Sequence, residues 1–130
     1  MKDETKNIAQ LKEIIKKFVT ERDWFQYHSP KNLSMSISIE AAELMEHFQW
    51  MTTEQSLEVK SNKEKMEEIK DEVADVGIYL LNFCNVLGID FSNTVEKKLE
   101  KSAKKYPANL VKGQAHKYTH YLKLKKGAEV

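Results

Sequence analysis

Acidic side chains set among apolar ones are the feature of this sequence best suited to chemistry. Glu40 and Glu43 lie three residues apart within Ile37-Ser-Ile-Glu-Ala-Ala-Glu-Leu44, and Glu72 and Asp75 lie three apart within Glu72-Val-Ala-Asp-Val-Gly-Ile78. On a helix this spacing puts both members of a pair on one face, with Cβ atoms roughly 5–6 Å apart. A carboxylate partly withdrawn from water is costly unless something positive neutralises it. Two such pairs facing each other across a helix interface would repel, and a divalent cation resolves that repulsion. An all-oxygen ligand set selects hard cations, Mg²⁺ first and Mn²⁺ second. Magnesium favours carboxylates together with substrate phosphates, so the implied substrate is a phosphate ester or anhydride. The same acids could instead be solvated helix-face charges. Glu46, Glu67, Glu68 and Asp71 show how readily such spacings arise in this chain.

Several other chemistries are excluded. A ferritin-like di-iron site needs Glu-x-x-His on two helices, whereas His47 follows Glu43 by four residues and the segment carrying Glu72 and Asp75 has no His. Neither His-Glu-x-x-His nor a phosphate-cradling Gly-rich loop is present. The single Cys84 rules out an intrachain disulfide and a zinc site built from several cysteines, and it reads as a buried small hydrophobe. With 21 Lys and Arg against 20 Asp and Glu the net charge is +1, too small a surplus for binding a nucleic-acid polymer. The apolar run from Val76 to Leu87 is interrupted by Asn82 and Asn85 and falls short of the roughly 20 residues that span a bilayer. The opening MKDETKNIAQ has no apolar signal core. A cytoplasmic protein that does not engage membranes is expected.

The elements that must position the acids read as helices. The 130 residues suit one domain, and only four Gly and two Pro favour long helices over many tight turns. Leu11, Ile14, Ile15, Phe18 and Val19 recur at three- and four-residue spacing, predicting a first helix over about Asp3 to Asp23. Ser29-Pro30 disfavours helix at Ser29, and Asn32 is a candidate N-cap for a second helix reaching about Met51. Thr52 to Lys60 reads as a loop. Ser61-x-x-Glu64 has the form of a capping box for a third helix that ends at Gly88. Asp90 caps a fourth helix to about Tyr106, closed by Pro107. The pattern predicts an all-α four-helix bundle over residues 1–110, with 111–130 as a peripheral, partly disordered arm.

Taken together, these residues resemble a known family. Glu40-x-x-Glu43 followed by Glu72-x-x-Asp75 is similar to the motif of the all-α nucleoside triphosphate pyrophosphohydrolases, the MazG-like superfamily. The likeness is greater still to its dCTP pyrophosphatase branch. It is carried by Glu21-Arg-Asp-Trp24-Phe-Gln-Tyr-His28-Ser-Pro30-Lys-Asn32, Glu43-Leu-Met-Glu-His-Phe48-Gln49-Trp50, Asp75-Val-Gly-Ile-Tyr79-Leu and Lys105-Tyr106-Pro107-Ala108, and it covers about Ile8 to Tyr118. The resemblance implies hydrolysis of a nucleoside triphosphate to the monophosphate and pyrophosphate with Mg²⁺, on dCTP or a modified dCTP, in nucleotide-pool sanitation. It also implies a homo-oligomer, a dimer or a dimer of dimers, with sites built across subunit contacts.

By the same resemblance Glu40, Glu43, Glu72 and Asp75 take the metal-ligand roles, and Glu43 is read as the acceptor of the water proton. Trp24 and Trp50 are expected in the base pocket, where an indole stacks on a pyrimidine; the alternative is core or interface packing. His28 could hydrogen-bond the base or fix its own loop. Tyr79, one turn after Asp75, could line the nucleotide pocket or pack half-buried. Lys98 and Lys105 match the phosphate-holding stretch, and between them Ser102 stands where the family usually has Asn. Two alternatives stay open at this point: the same chemistry on another nucleotide, and a non-catalytic oligomeric helical module.

Overall fold

The computed structural model describes residues 2–127, and among them there are helices and no strands. The four long helices expected from the periodicity are α1 (Ile8–Glu21), α2 (Pro30–Glu46), α4 (Lys63–Leu87) and α5 (Phe91–Lys105). Three shorter ones are α3 (Thr53–Glu58), α6 (Ala108–Val111) and α7 (Tyr118–Gly127). The chain divides into two compact units that meet between Ile89 and Asp90. No single helix among the described residues is long and apolar enough to cross a membrane.

Capping decides where the helices begin, and it corrects several expected boundaries. α1 starts at Ile8 rather than near Asp3, because Asn7 is extended and forms a reciprocal capping box with Gln10. Asp3–Thr5 forms only a separate 3₁₀ turn. α2 is capped by Ser29, whose Oγ accepts the Asn32 N–H at 3.2 Å, with Pro30 in the first helical position. Proline's fixed φ suits that position, so Ser29-Pro30 starts the helix instead of delaying it. Asn32, expected as the cap, lies within the helix and donates its side-chain amide to the Tyr27 carbonyl at 2.9 Å.

At its far end α2 stops at Glu46, not Met51, since Thr52 must be extended to cap α3. α3 occupies most of the stretch expected as a loop. Its signal is a Thr52-x-x-Gln55 capping box inside a polar segment. α4 is capped by Asn62, not Ser61, and ends as expected at Gly88, which adopts the left-handed conformation at φ 65°. Asp90 caps α5 by accepting the Asn93 N–H.

In the first unit α2 and α1 both pack on α4. Ile15 and Val19 of α1, Leu33 of α2, and Ile69, Leu81 and Cys84 of α4 are buried. Fully burying an apolar side chain of this size contributes about 1.5–3 kcal/mol. Two polar ties fix the register of α1 on α4: Asn85 donates Nδ2–H to the Lys12 carbonyl at 2.9 Å, and Lys12 Nζ donates to the Ile89 carbonyl at 2.8 Å.

The second unit holds α5, α6 and α7. Tyr121 of α7 is buried, edge-on to Tyr106 at 5.9 Å, with its hydroxyl accepting the His116 N–H at 3.0 Å. Lys125 Nζ ties α7 to the Lys104 carbonyl. The arm expected beyond residue 110 therefore contains helix through Gly127; the disorder expected of the last residues falls on 128–130, outside the described residues.

Gly88 gives a direct check on the end of α4. A Cβ there meets no neighbouring atom, so only the positive φ resists substitution. Gly88→Ala should lower the unfolding free energy in urea by about 1–2 kcal/mol. Gly88→Asn should lose less, because Asn tolerates this conformation.

Candidate active site

The α2–α4 seam brings the acids together. Glu40 and Glu43 project from α2 and Glu72 from α4, and each offers an oxygen within 4.8 Å of the others. Glu40 and Glu72 are half-buried, and Glu43 is exposed. The Glu72 Oε2 atom is buried without a hydrogen-bond partner. Burial holds the Glu40 carboxyl above its ordinary range, and the charges of Glu43, Asp75 and Glu72 push it further the same way. A set of oxygen donors that repel one another and leave one buried atom orphaned fits a hard divalent cation.

His47, at the C-terminal end of α2, reaches the same seam. Its Nδ1 lies 3.8 Å from Glu68 Oε2 and its Nε2 lies 4.0 Å from Glu72 Oε1. The sequence singled out His47 only as failing an iron motif. Its spacing of four from Glu43 does put it on the acidic face.

Asp75 stands apart from the three-oxygen group. It borders a cavity of about 240 Å³ together with Phe18, Trp24, His28, Tyr79 and Asn82, while its charge still acts on Glu40. The acid cluster and the cavity are therefore neighbours along α4. The cavity wall is aromatic: Phe18 and Trp24 meet edge-on at 5.8 Å, Trp24 and His28 at 6.2 Å, and His28 and Tyr79 at 6.4 Å.

Local chain geometry delivers Trp24. Asp23 takes a left-handed conformation at φ 51° and turns the chain out of α1 into the 3₁₀ segment Trp24–Tyr27. Gln26 holds that turn by donating Nε2–H to the Asp23 carbonyl, and the Arg22 guanidinium lies 3.6 Å from the centre of the Phe18 ring.

Asn82 forms part of the wall behind His28. It is 1% exposed, its Nδ2 lies 2.9 Å from His28 Nδ1, and its Oδ1 is buried without a partner. Burial lowers the His28 pKa and favours the neutral ring. In the sequence Asn82 registered only as a break in an apolar run. Its useful signal was its place one turn beyond Tyr79 on α4.

The remaining expected site residues are Trp50, Lys98, Ser102 and Lys105. Trp50, in the turn after α2, is 89% exposed and does not border the cavity. Lys98, Ser102 and Lys105 belong to α5, in the second unit. There Lys98 is exposed, the Ser102 carbonyl accepts the Tyr106 N–H at 2.7 Å, and Lys105 Nζ sits 4.4 Å from the centre of the Tyr118 ring.

The chain is similar to several known proteins. The chain is 34% identical to dCTP pyrophosphatase 1 of Mus musculus over 113 residues and 30% identical to that of Homo sapiens over 112. Each alignment takes in 86% of this chain, and the chain spans 66% of the length of these curated relatives. Among solved structures, a pyrophosphatase from Archaeoglobus fulgidus is 41% identical with a TM-score of 0.72, covering 82% of this chain and 98% of that one. Residues 35–120, which include all four acids, match the MazG-like family. The chain, by fold and sequence alike, belongs to the MazG-like family.

Proposed function

We propose that this protein hydrolyses a nucleoside triphosphate, most readily dCTP or a modified dCTP, to the monophosphate and pyrophosphate with the help of Mg²⁺. The observation that carries the reading is the set of Glu40, Glu43 and Glu72 oxygens within 4.8 Å of one another, beside an aromatic cavity that Asp75 borders. The relatives named dCTP pyrophosphatase 1 and the Archaeoglobus fulgidus pyrophosphatase support the same reaction class.

Glu40, Glu43, Glu72 and Asp75 hold the cation in this reading, with Mn²⁺ as a substitute. A cation held by these carboxylates would supply positive charge to offset the negative charge developing on the pyrophosphate leaving group and to make water a better nucleophile toward the α-phosphorus. Glu43, the exposed member of the cluster, accepts the proton that the water loses. Trp24 and Tyr79 supply aromatic surface for the base, and stacking of this kind contributes about 1–3 kcal/mol per base. His28 hydrogen-bonds the base. Lys98, Ser102 and Lys105 hold phosphate oxygens.

Trp50, so fully exposed in its own chain, joins a base pocket only when a second copy completes the site. That assembly also covers Met35 and Ile39 of α2 and Val73 of α4, which are more than half exposed and flank the acids in sequence. The homo-oligomer is therefore part of the proposal. A reducing cytoplasm suits the buried, unpaired Cys84.

A panel of triphosphates with pyrophosphate as the readout tests the whole reading. Turnover should be highest on dCTP or a modified dCTP, vanish with EDTA and return with Mg²⁺. Faster turnover of a purine nucleotide would retire dCTP and keep the mechanism, whereas no turnover on any triphosphate would leave a helical interaction module.

Glu43→Gln and Asp75→Asn should each reduce kcat at least ~100-fold, the scale of a lost general base or ligand. Far-UV circular dichroism of both variants should match the parent; loss of helix would make the acids structural.

Glu40 yields a stability test. Its folded pKa is raised above 4.5, so its contribution favours folding at pH below that value and is lost as pH rises through the folded pKa. At neutral pH the ionised group thus opposes folding in metal-free protein. Glu40→Gln should raise Tm in EDTA at pH ~7 and shrink the rise in Tm that Mg²⁺ produces in the parent. A lower Tm in EDTA would contradict the strained cluster.

A further inference from the structure

The amide of Asn82 lacks a stability rationale. It is 1% exposed within the apolar stretch of α4, and its Oδ1 is buried without a partner, which an apolar side chain of similar size would avoid. Its one hydrogen bond goes to His28 Nδ1 at 2.9 Å. Two arrangements give that contact: the amide N–H donates to an unprotonated Nδ1, or the amide is turned over and its oxygen accepts from Nδ1–H. The second leaves a buried NH₂ with both hydrogens unsatisfied, and the first leaves one amide hydrogen and the carbonyl oxygen. Orphaned N–H groups are the rarer of the two in folded proteins, so Nδ1 is the acceptor.

A neutral ring with an unprotonated Nδ1 carries its proton on Nε2. Burial keeps the ring neutral by lowering its pKa. His28 borders the aromatic cavity, and its Nε2 has no hydrogen-bond partner among the described residues and is not among the buried unpartnered atoms. The cavity therefore gains one donor of fixed identity, in a wall otherwise made largely of ring faces and apolar side chains.

We propose that Asn82 is a positioning residue that locks His28 with Nε2–H as a donor, and that this donor selects bases whose pairing-edge ring nitrogen is an unprotonated acceptor. Cytosine presents such a nitrogen at N3. Uracil and thymine carry N3–H, a second donor that the locked ring opposes. The inference rests on the hydrolase reading and deepens it, because it explains how one pocket prefers cytosine to other pyrimidines of the same size.

Asn82→Asp tests this with little change of shape. A carboxylate can only accept, so the ring must place its proton on Nδ1 and turn a lone pair toward the base. Full-length protein with ¹⁵N-labelled histidine is compared by two-bond ¹H–¹⁵N spectra at a pH where the ring reads as neutral. The parent should show His28 protonated on Nε2, and the variant should show it protonated on Nδ1. The ratio of kcat/KM for dCTP over dUTP should then fall at least ~10-fold, the discrimination expected of one good base contact.

Asn82→Ala, should the Asp variant fold poorly, frees the tautomer and should bring the ratio toward one. A parent ring protonated on Nδ1, or a variant that switches tautomer with an unchanged ratio, would overturn the proposal. Failure of the parent to turn over either nucleotide would sink the hydrolase reading separately. Calorimetric binding of dCTP and dUTP would then decide the selection, and equal affinities would overturn it.

Discussion

Electrostatic repulsion held in place by apolar packing is the constraint on which the site depends. Glu40, Glu43 and Glu72 would separate if their helices could part, but α2 and α4 are held by buried residues such as Leu33, Ile69 and Leu81. At about 1.5–3 kcal/mol for each such side chain, burial outweighs the repulsion between partly solvated carboxylates. The outcome is visible in two places: the raised pKa of Glu40 and the orphaned Oε2 of Glu72. In the proposed function a small hard cation would relieve this arrangement and serve phosphoanhydride chemistry.

One helix connects the acids to the cavity. α4 carries Glu72, Asp75, Tyr79 and Asn82 at three- and four-residue intervals, so these side chains descend one face turn by turn. Asp75 sits at the junction, acting on Glu40 by its charge and bordering the cavity with its side chain. A single helix capped by Asn62 and stopped at Gly88 fixes the spacing between the two parts. The ties from Asn85 and Lys12 then hold α1, and the turn bearing Trp24 that follows it, against that element. In the proposed function this sets the distance between phosphates and base without requiring a mobile loop.

Much of this was legible in the sequence. The apolar periodicity located α1, α2, α4 and α5, and the paired acids located the seam. Family resemblance directed attention to Trp24, His28 and Tyr79, which do share a cavity. The misses have physical causes. α3 was hidden because a capping box in a polar segment carries no hydrophobic period. Ser29-Pro30 was read for its steric penalty, although the same proline is favourable at a first helical position. Asn82 passed as an interruption because polarity within an apolar run does not announce a partner 54 residues away.

The sequence by itself determined which residues can be helical and which of them share a face, since those properties follow from periodicity and capping along the chain. It likewise determined that acids would line one face of α2 and one face of α4. Only the tertiary structure decided that Glu72 completes a group with Glu40 and Glu43 while Asp75 turns to the cavity, that His47 joins the acidic seam, and that Asn82 backs His28. It also decided that Trp50 stands in solvent. These are relations between helices, fixed by how side chains of different elements pack and by the rotation of each helix about its axis, and no local pattern encodes that rotation.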